Sequence, residues 1–345
     1  MRIGDCTRFV RGGLLHSTMG MRRARIGDCP AWTGARLHRR LDAMTSAPQW
    51  FRDAVAQLPR HSTVQVEGCP IHCLSWGDTG KPGLLLIHGG AAHAHWWSFL
   101  APLLASDYHV VAFDLSGHGD SGRRQLYPRE IWALEAMAVC RHAGLDRHGP
   151  PIIIGHSLGG FVTMVAASLY GDRMAGAVIV DSPVTKPDPE SQEGRQGRAF
   201  RNPKVYPSIE EAVTHFHLIP AQPCDNDYIV DHVARHSLKK TDDGWTWKFD
   251  PVVFERVSLK PMSDYLADTR CRVAILRGEL SNLVPPETGQ YMYELLDRNA
   301  PIIEIPQAHH HLILDQPLAF VAAARALLAD WEHSLPRKRG PAAAS

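Results

Sequence analysis

Ile152-Ile153-Ile154-Gly155-His156-Ser157-Leu158-Gly159-Gly160 is the stretch that decides the fold of this chain. A β-branched apolar run ends in Gly-x-Ser-x-Gly, and a helical pattern from Leu158 to Tyr170 follows at once. The run reads as a buried strand and the glycines as a sharp turn. A serine at the apex of such a turn sits in a strained backbone conformation and needs small neighbours on both sides. Gly155 and Gly159 supply them. The hydroxyl is then lifted clear of the sheet, and the amide of Leu158 faces the same space. This is the arrangement of a nucleophile elbow. The competing reading is a glycine-rich strand–helix turn in which the serine is incidental.

Working outward, strand-like and helix-like stretches alternate. Strands are expected at 63–67, 71–76, 84–88, 109–114, 152–155, 177–181, 273–277 and 302–305, and helices at 96–105, 129–143, 158–170, 286–296 and 318–331. The first two strands read as a hairpin around Gly68-Cys69-Pro70. The later ones are near-continuous apolar runs separated by helices, as buried parallel strands are. The order predicts an α/β chain with a doubly wound, mostly parallel eight-stranded sheet. Between Asp181 and Arg272 the alternation stops. Prolines recur there at 183, 187, 189, 203, 207, 220 and 223, with helical patches at 209–217 and 228–236 and an aromatic stretch at 245–249. So long an interruption of a compact domain is usually a lid, and a mostly helical cap over the serine is expected. The expected division is therefore a core of residues 45–182 and 271–335, a cap at 183–270 and a disordered tail at 336–345.

The bulk numbers fit that reading. The 345 residues are 44% hydrophobic and 21% charged, with a formal net charge of +1. Neither nucleic acid nor a membrane surface is implied as a partner, and no apolar run is long enough to span a bilayer. Residues 1–44 stand apart. They carry nine Arg and three Asp, a net of +6, so the rest carries −5. They also repeat Arg-Ile-Gly-Asp-Cys at 2–6 and 25–29. A disordered basic extension or leader is one reading. Translation from an upstream start, with the protein proper beginning at Met44-Thr45-Ser46, is preferred because globular patterning begins only near Trp50. The seven cysteines form no paired CxxC, so free thiols in a reducing, cytoplasmic setting are expected.

A serine nucleophile needs a base, an acid that orients it and an oxyanion hole. The base lies in Ala308-His309-His310-His311-Leu312, a loop between the last strand and the last helix. Successive side chains point different ways, so one of the three imidazoles should face Ser157. Adjacent histidines rarely chelate one ion with good geometry, so this run is not read as a metal site. His88-Gly89-Gly90-Ala91, after the third strand, offers backbone N–H groups, and Gly90 with Leu158 is the expected oxyanion pair.

Taken together, Gly155-His156-Ser157-Leu158-Gly159-Gly160, His88-Gly89-Gly90, Asp114 to Ser121 (Asp-Leu-Ser-Gly-His-Gly-Asp-Ser) and Ala308 to Pro317 resemble the α/β-hydrolase superfamily over about residues 60–335. The resemblance implies the α/β-hydrolase fold and a serine esterase-like hydrolase with a cap domain. It implies that the base stands seven residues before the proline opening the last helix, which is His310. It also implies that Asp114 is structural. The acid departs from the family's common pattern, because Gly278-Glu279-Leu280-Ser281-Asn282 carries Ser281 where an Asp is usual. A subset of the family takes its acid from the end of the sixth strand, where this chain has Asp181. Asp181 is the expected acid and Glu279 the alternative.

His88, Ala91, His156, Trp245 and Trp247 are candidate pocket-lining residues. The expected reaction is hydrolysis of a small-molecule carboxylic ester with no metal or organic cofactor, by a monomer or homodimer. Carbon–carbon hydrolysis of a dienoic ketoacid, lactone opening and perhydrolysis are the alternatives on the same residues, with Arg195, Arg198 and Arg201 available for a substrate carboxylate. A non-catalytic ligand receptor on this fold is a further alternative.

Overall fold

The computed structural model describes residues 47–186, 203–254 and 260–334. The expected N-terminal extension and tail lie outside these residues, as do Arg195, Arg198 and Arg201. The strands are β1 (Arg60–Val66), β2 (Cys69–Trp76), β3 (Gly83–Ile87), β4 (His109–Phe113), β5 (Ile152–His156), β6 (Gly176–Val180), β7 (Leu238–Thr241), β8 (Gly244–Trp247), β9 (Arg272–Gly278) and β10 (Ile302–Ile305). Eight of them form one sheet in the order β1-β2-β4-β3-β5-β6-β9-β10, and β7 with β8 forms a separate hairpin. β2 runs antiparallel to β1 and to β4, and every other pair in the large sheet is parallel. The sheet is thus the doubly wound, mostly parallel one that the alternating pattern predicts.

The period of two explains how such apolar strands stay in register. Leu84 and Leu86 point to one face, where they join Phe99 and Phe320. Leu85 and Ile87 point to the other, with Trp132 and Val165. All four are fully buried, each contributing about 1.5–3 kcal/mol by leaving water. A one-residue slip of β3 would exchange the two sets.

Helices cover both faces: α1 (Gln49–Val55), α2 (Ala101–Leu104), α3 (Arg129–Ala143), α4 (Leu158–Tyr170), α5 (Ile209–Thr214), α6 (Asp227–His236), α7 (Met262–Ala267), α8 (Pro286–Leu295), α9 (Leu312–Asp315) and α10 (Pro317–His333). Three details depart from expectation. The helix expected at 96–105 is a 3-10 turn, Ala94–Trp96, followed by the single turn α2. Pro102 has no N–H for a preceding turn, so helix can only start there. The first hairpin turns at Glu67-Gly68, both at positive φ, with Val66 paired to Cys69. That geometry suits a two-residue hairpin loop, and Pro70 falls inside β2. Finally, α7 lies within the expected cap range, yet Tyr265 and Leu266 share an apolar cluster with Val165 of α4 and Met292 of α8.

Residues 203–254 lie over the loops that follow β3, β4 and β10. His93 Nε2 is 2.8 Å from Ser237 Oγ. Gly119 N–H donates to the Lys248 carbonyl at 2.7 Å, and Asn226 Nδ2–H to the Leu314 carbonyl at 2.7 Å. These loops all leave the sheet at the carboxyl ends of parallel strands, where open α/β sheets bind ligands. Alongside α5 and α6, this segment holds the β7–β8 hairpin, in which Trp245 and Trp247 alternate along β8.

Several buried imidazoles carry a pH consequence. Burial pushes His118 and His156 down to about 3. The folded state leaves them neutral, while the unfolded chain takes up protons near 6.5. Their stabilisation is therefore complete above pH 6.5 and is lost as pH falls towards 3. Unfolding free energies from urea titrations are expected to drop steadily from pH 6.5 to 4.5, by up to about 1.4 kcal/mol per pH unit for each such histidine. A flat profile over that range would contradict these protonation states.

Candidate active site

β5 ends at His156, and Ser157 follows at φ 55°, ψ −116° before α4 begins. Few residues tolerate that conformation, and the surroundings hold it. Ser157 N–H donates to the Val180 carbonyl at 2.9 Å, and Ser182 Oγ–H donates to the Ser157 carbonyl at 2.8 Å. The close approach also explains the flanking glycines. A Cβ at Gly155 would sit 2.1 Å from the Gly159 carbonyl oxygen, and one at Gly159 would sit 2.4 Å from the Ile87 carbonyl oxygen. Both obstacles are backbone, which cannot swing aside.

Ser157 Oγ lies 3.0 Å from His310 Nε2, and His310 Nδ1 lies 2.8 Å from Asp181 Oδ1. An ionised carboxylate only accepts, so Nδ1 carries the imidazole proton and Nε2 turns its lone pair to the serine hydroxyl. Asp181 is fully buried and His310 nearly so, while Ser157 is partly open to solvent. Asp181 follows β6 directly, at φ 48°. Its Oδ2 accepts the Gly278 N–H at 2.8 Å, and its Oδ1 also accepts the Ser281 hydroxyl at 2.6 Å. Ser281, at the position where the resemblance leads one to look for an acid, thus donates to Asp181 from the turn after β9. Glu279 is exposed, and its Oε2 accepts the Gln307 N–H at 2.8 Å. It makes no contact with His310 among the described residues.

The three consecutive histidines do point three ways. His309 Nδ1 lies 3.4 Å from Asp315 Oδ2, and the same oxygen accepts the His309 N–H. His310 meets Ser157 and Asp181. His311 is buried beside Trp96, with ring centroids 5.4 Å apart. Asp315 is therefore an anchor of this loop. Asp114 is another structural carboxylate. It accepts the N–H groups of Ala94 and Asp120 at 2.6 and 2.9 Å, and lies 2.8 Å from His72 Nδ1. Burial acts to raise its pKa, but the His72 hydrogen bond and the nearby His88 and His93 outweigh it and hold it below the usual carboxylate range.

Among the described residues, the backbone N–H groups of Gly90 and Leu158 have no hydrogen-bond acceptor. A Cβ built on Gly90 would sit 3.9 Å from Leu158 Cβ, so the two amides belong to adjacent stretches of backbone. Ala91 follows at φ 56°. Beside them lies a cavity of about 110 Å³ with Gly90, Ala91, Trp96, Phe216, Leu218 and Trp247 in its wall. Of the candidate lining residues, Ala91 and Trp247 are in that wall. His88 is not, because it is fully buried, with Nδ1 2.7 Å from the Gly89 carbonyl oxygen and Nε2 accepting the Leu115 N–H. His156 is not either, because its Nε2–H donates to the His310 carbonyl at 2.9 Å, bracing His310 from behind. Trp245 pairs instead with Tyr206, through two backbone hydrogen bonds of 2.7 and 2.8 Å. Phe216, Leu218 and His311 were missed by sequence reasoning. Phe216 and Leu218 follow α5, which ends at Thr214, short of the helical patch expected at 209–217, and His311 was overshadowed by its neighbour.

Residues 84–324 match the family model described as the alpha/beta hydrolase family. Esterase Rv0045c of Mycobacterium tuberculosis is 22% identical over 278 residues, covering 78% of this chain and 90% of that protein. Mouse epoxide hydrolase 4 is 26% identical over 163 residues, covering 46% of this chain and 43% of that one. Among solved structures, E-2-(acetamidomethylene)succinate hydrolase superposes with a TM-score of 0.68 at 20% identity, over 79% of this chain and 99% of that one. Among the described residues no helix is long and apolar enough to cross a membrane.

Proposed function

The chain belongs to the alpha/beta hydrolase family, and from that premise we propose that it is a serine hydrolase that cleaves a small carboxylic ester through an acyl-enzyme. The observation that carries this reading is the continuous hydrogen-bonded line from Ser157 through His310 to Asp181. Ser157 Oγ attacks the ester carbon while His310 Nε2 takes its proton. Asp181 holds the imidazole in the required tautomer and stabilises the imidazolium. The negative charge that develops on the carbonyl oxygen is met by the N–H groups of Gly90 and Leu158, which have no other acceptor among the described residues. His310 then protonates the departing alcohol, activates a water against the acyl carbon, and Ser157 is regenerated. A serine at the elbow fits this chemistry better than epoxide opening, for which the family uses an Asp there. Cys69, Cys73, Cys140 and Cys224 carry free thiols, which suits a cytoplasmic setting.

The cavity supports a small acyl group. Its volume of about 110 Å³ is below the roughly 300–1,000 Å³ of sites for drug-sized ligands, and its wall is largely apolar. Across p-nitrophenyl esters, kcat/KM is expected to be highest for acetyl to butyryl chains and to fall at least about tenfold by octanoyl, the loss of roughly 1.4 kcal/mol that a poorly seated chain produces. A fluorophosphonate probe should add a single phosphonyl group, located on Ser157 by mass spectrometry. Ester turnover without that adduct, or with the label elsewhere, would sink the reading.

A further inference from the structure

Three histidines away from Ser157 converge where the turn after β3 meets α6. His232 and His236 stand four residues apart on α6, so both rings leave the same helix face. His95 comes from the turn Ala94–Trp96. One nitrogen of each ring lies within 4.8 Å of those of the other two, and all three residues are partly exposed. The rings of His95 and His236 stack with centroids 4.0 Å apart, and those of His232 and His236 lie 4.4 Å apart.

The outer contacts orient these rings. His236 Nδ1–H donates to the His232 carbonyl at 2.8 Å, which leaves its Nε2 with a lone pair. Ser98 Oγ, whose hydrogen goes to the His95 carbonyl at 2.9 Å, lies 2.8 Å from His232 Nε2. A carbonyl or hydroxyl behind an imidazole is how proteins fix metal-binding histidines. Among the described residues, the ring nitrogens of His95 make no hydrogen bond and none of the three histidines pairs with a carboxylate. A carboxylate-free imidazole set suits zinc, nickel or copper and does not suit calcium or magnesium.

We propose that His95, His232 and His236 form a binding site for a divalent transition-metal ion that clips α6 to the turn after β3. Bonds of about 2.0–2.1 Å draw three imidazole nitrogens to within roughly 3.3 Å of one another, so binding turns the rings and opens the His95–His236 stack. The ion would join two segments that are otherwise held by hydrogen bonds and apolar contacts, without touching Ser157, His310 or Asp181.

The test is titration of tag-free, full-length protein with zinc by calorimetry and with cobalt(II) by visible absorption. The expected result is one site tighter than about 10 μM, a tetrahedral cobalt spectrum, and a melting temperature that rises with zinc and falls back with chelator. His95→Ala and His236→Gln should each weaken binding by about 100-fold or more, above the roughly 10–100-fold of losing an outer partner, while fluorophosphonate labelling persists. His310→Ala should leave binding unchanged, since a second group, His156, His310 and His311, lies at the catalytic site. No binding by the unaltered protein would overturn the proposal, and so would binding that survives both substitutions or disappears with His310→Ala. The direct titration decides whether a site exists even if one variant fails to fold.

Discussion

Replacing Asp181 by Asn is expected to lower kcat by about 10⁴-fold with little change in KM. The amide keeps the shape of the carboxylate but can present an N–H to His310 Nδ1, which then must accept. The imidazole proton moves to Nε2, and no lone pair faces Ser157. The site allows no substitute, because Asp181 is buried between β6 and β9 and already accepts from Gly278 and Ser281. Glu279→Gln is the control. Glu279 is exposed and, among the described residues, its side chain accepts just the Gln307 N–H, so the variant's kcat should stay within about twofold of the unaltered protein's, as surface changes do. A large loss in Glu279→Gln with a small one in Asp181→Asn would move the acid to position 279. Ser281→Ala removes one hydrogen bond to the buried carboxylate and should cost about 1–3 kcal/mol, read in stability as well as in kcat.

The second large effect is the joint behaviour of Ser157 and His310. Ser157→Ala and His310→Ala should each lower kcat by about 10⁶-fold, and the double variant should be no worse than either. The two residues perform one step, so removing either partner removes the whole of it. What survives is the contribution of binding and of the Gly90 and Leu158 amides, about 10³–10⁴ over water. Ester turnover by progress curve, with circular dichroism as the folding control, reads this directly. Losses that multiply in the double variant would mean that the two side chains act in separate steps.

Much of the molecule was legible in the sequence, because the relevant forces are local or periodic. All eight strands of the large sheet begin and end within a few residues of the apolar runs that announce them. Gly155 and Gly159 are readable because a strained serine leaves no room for a Cβ on either side. Asp181 could be offered as a candidate, with Glu279 as the alternative, because Ser281 stands at the commoner position. The loop at 309–311 was ambiguous on its own, since three identical side chains carry no directional information. The Asp315 anchor and the His156 brace resolve it in space. The interrupted helix at 96–105 needed attention to Pro102 rather than to hydrophobic spacing.

The covering segment was the least legible part, for a physical reason. Its helices are short, its prolines break periodicity, and its residues find partners on distant loops instead of within their own element. Phe216, Leu218 and Trp247 reach the cavity only because 203–254 folds back over the carboxyl ends of the strands. His95 and the α6 pair are far apart in sequence, and neither alone suggests an ion.

By itself, then, the sequence determined the layered sheet and the glycine-flanked serine turn and named candidates for an acid and a base, because burial periodicity and steric exclusion are written residue by residue. Only the tertiary structure decided which histidine faces Ser157, what walls the cavity, and that His95 meets His232 and His236. Those outcomes depend on where separate segments pack against one another, which no local pattern encodes.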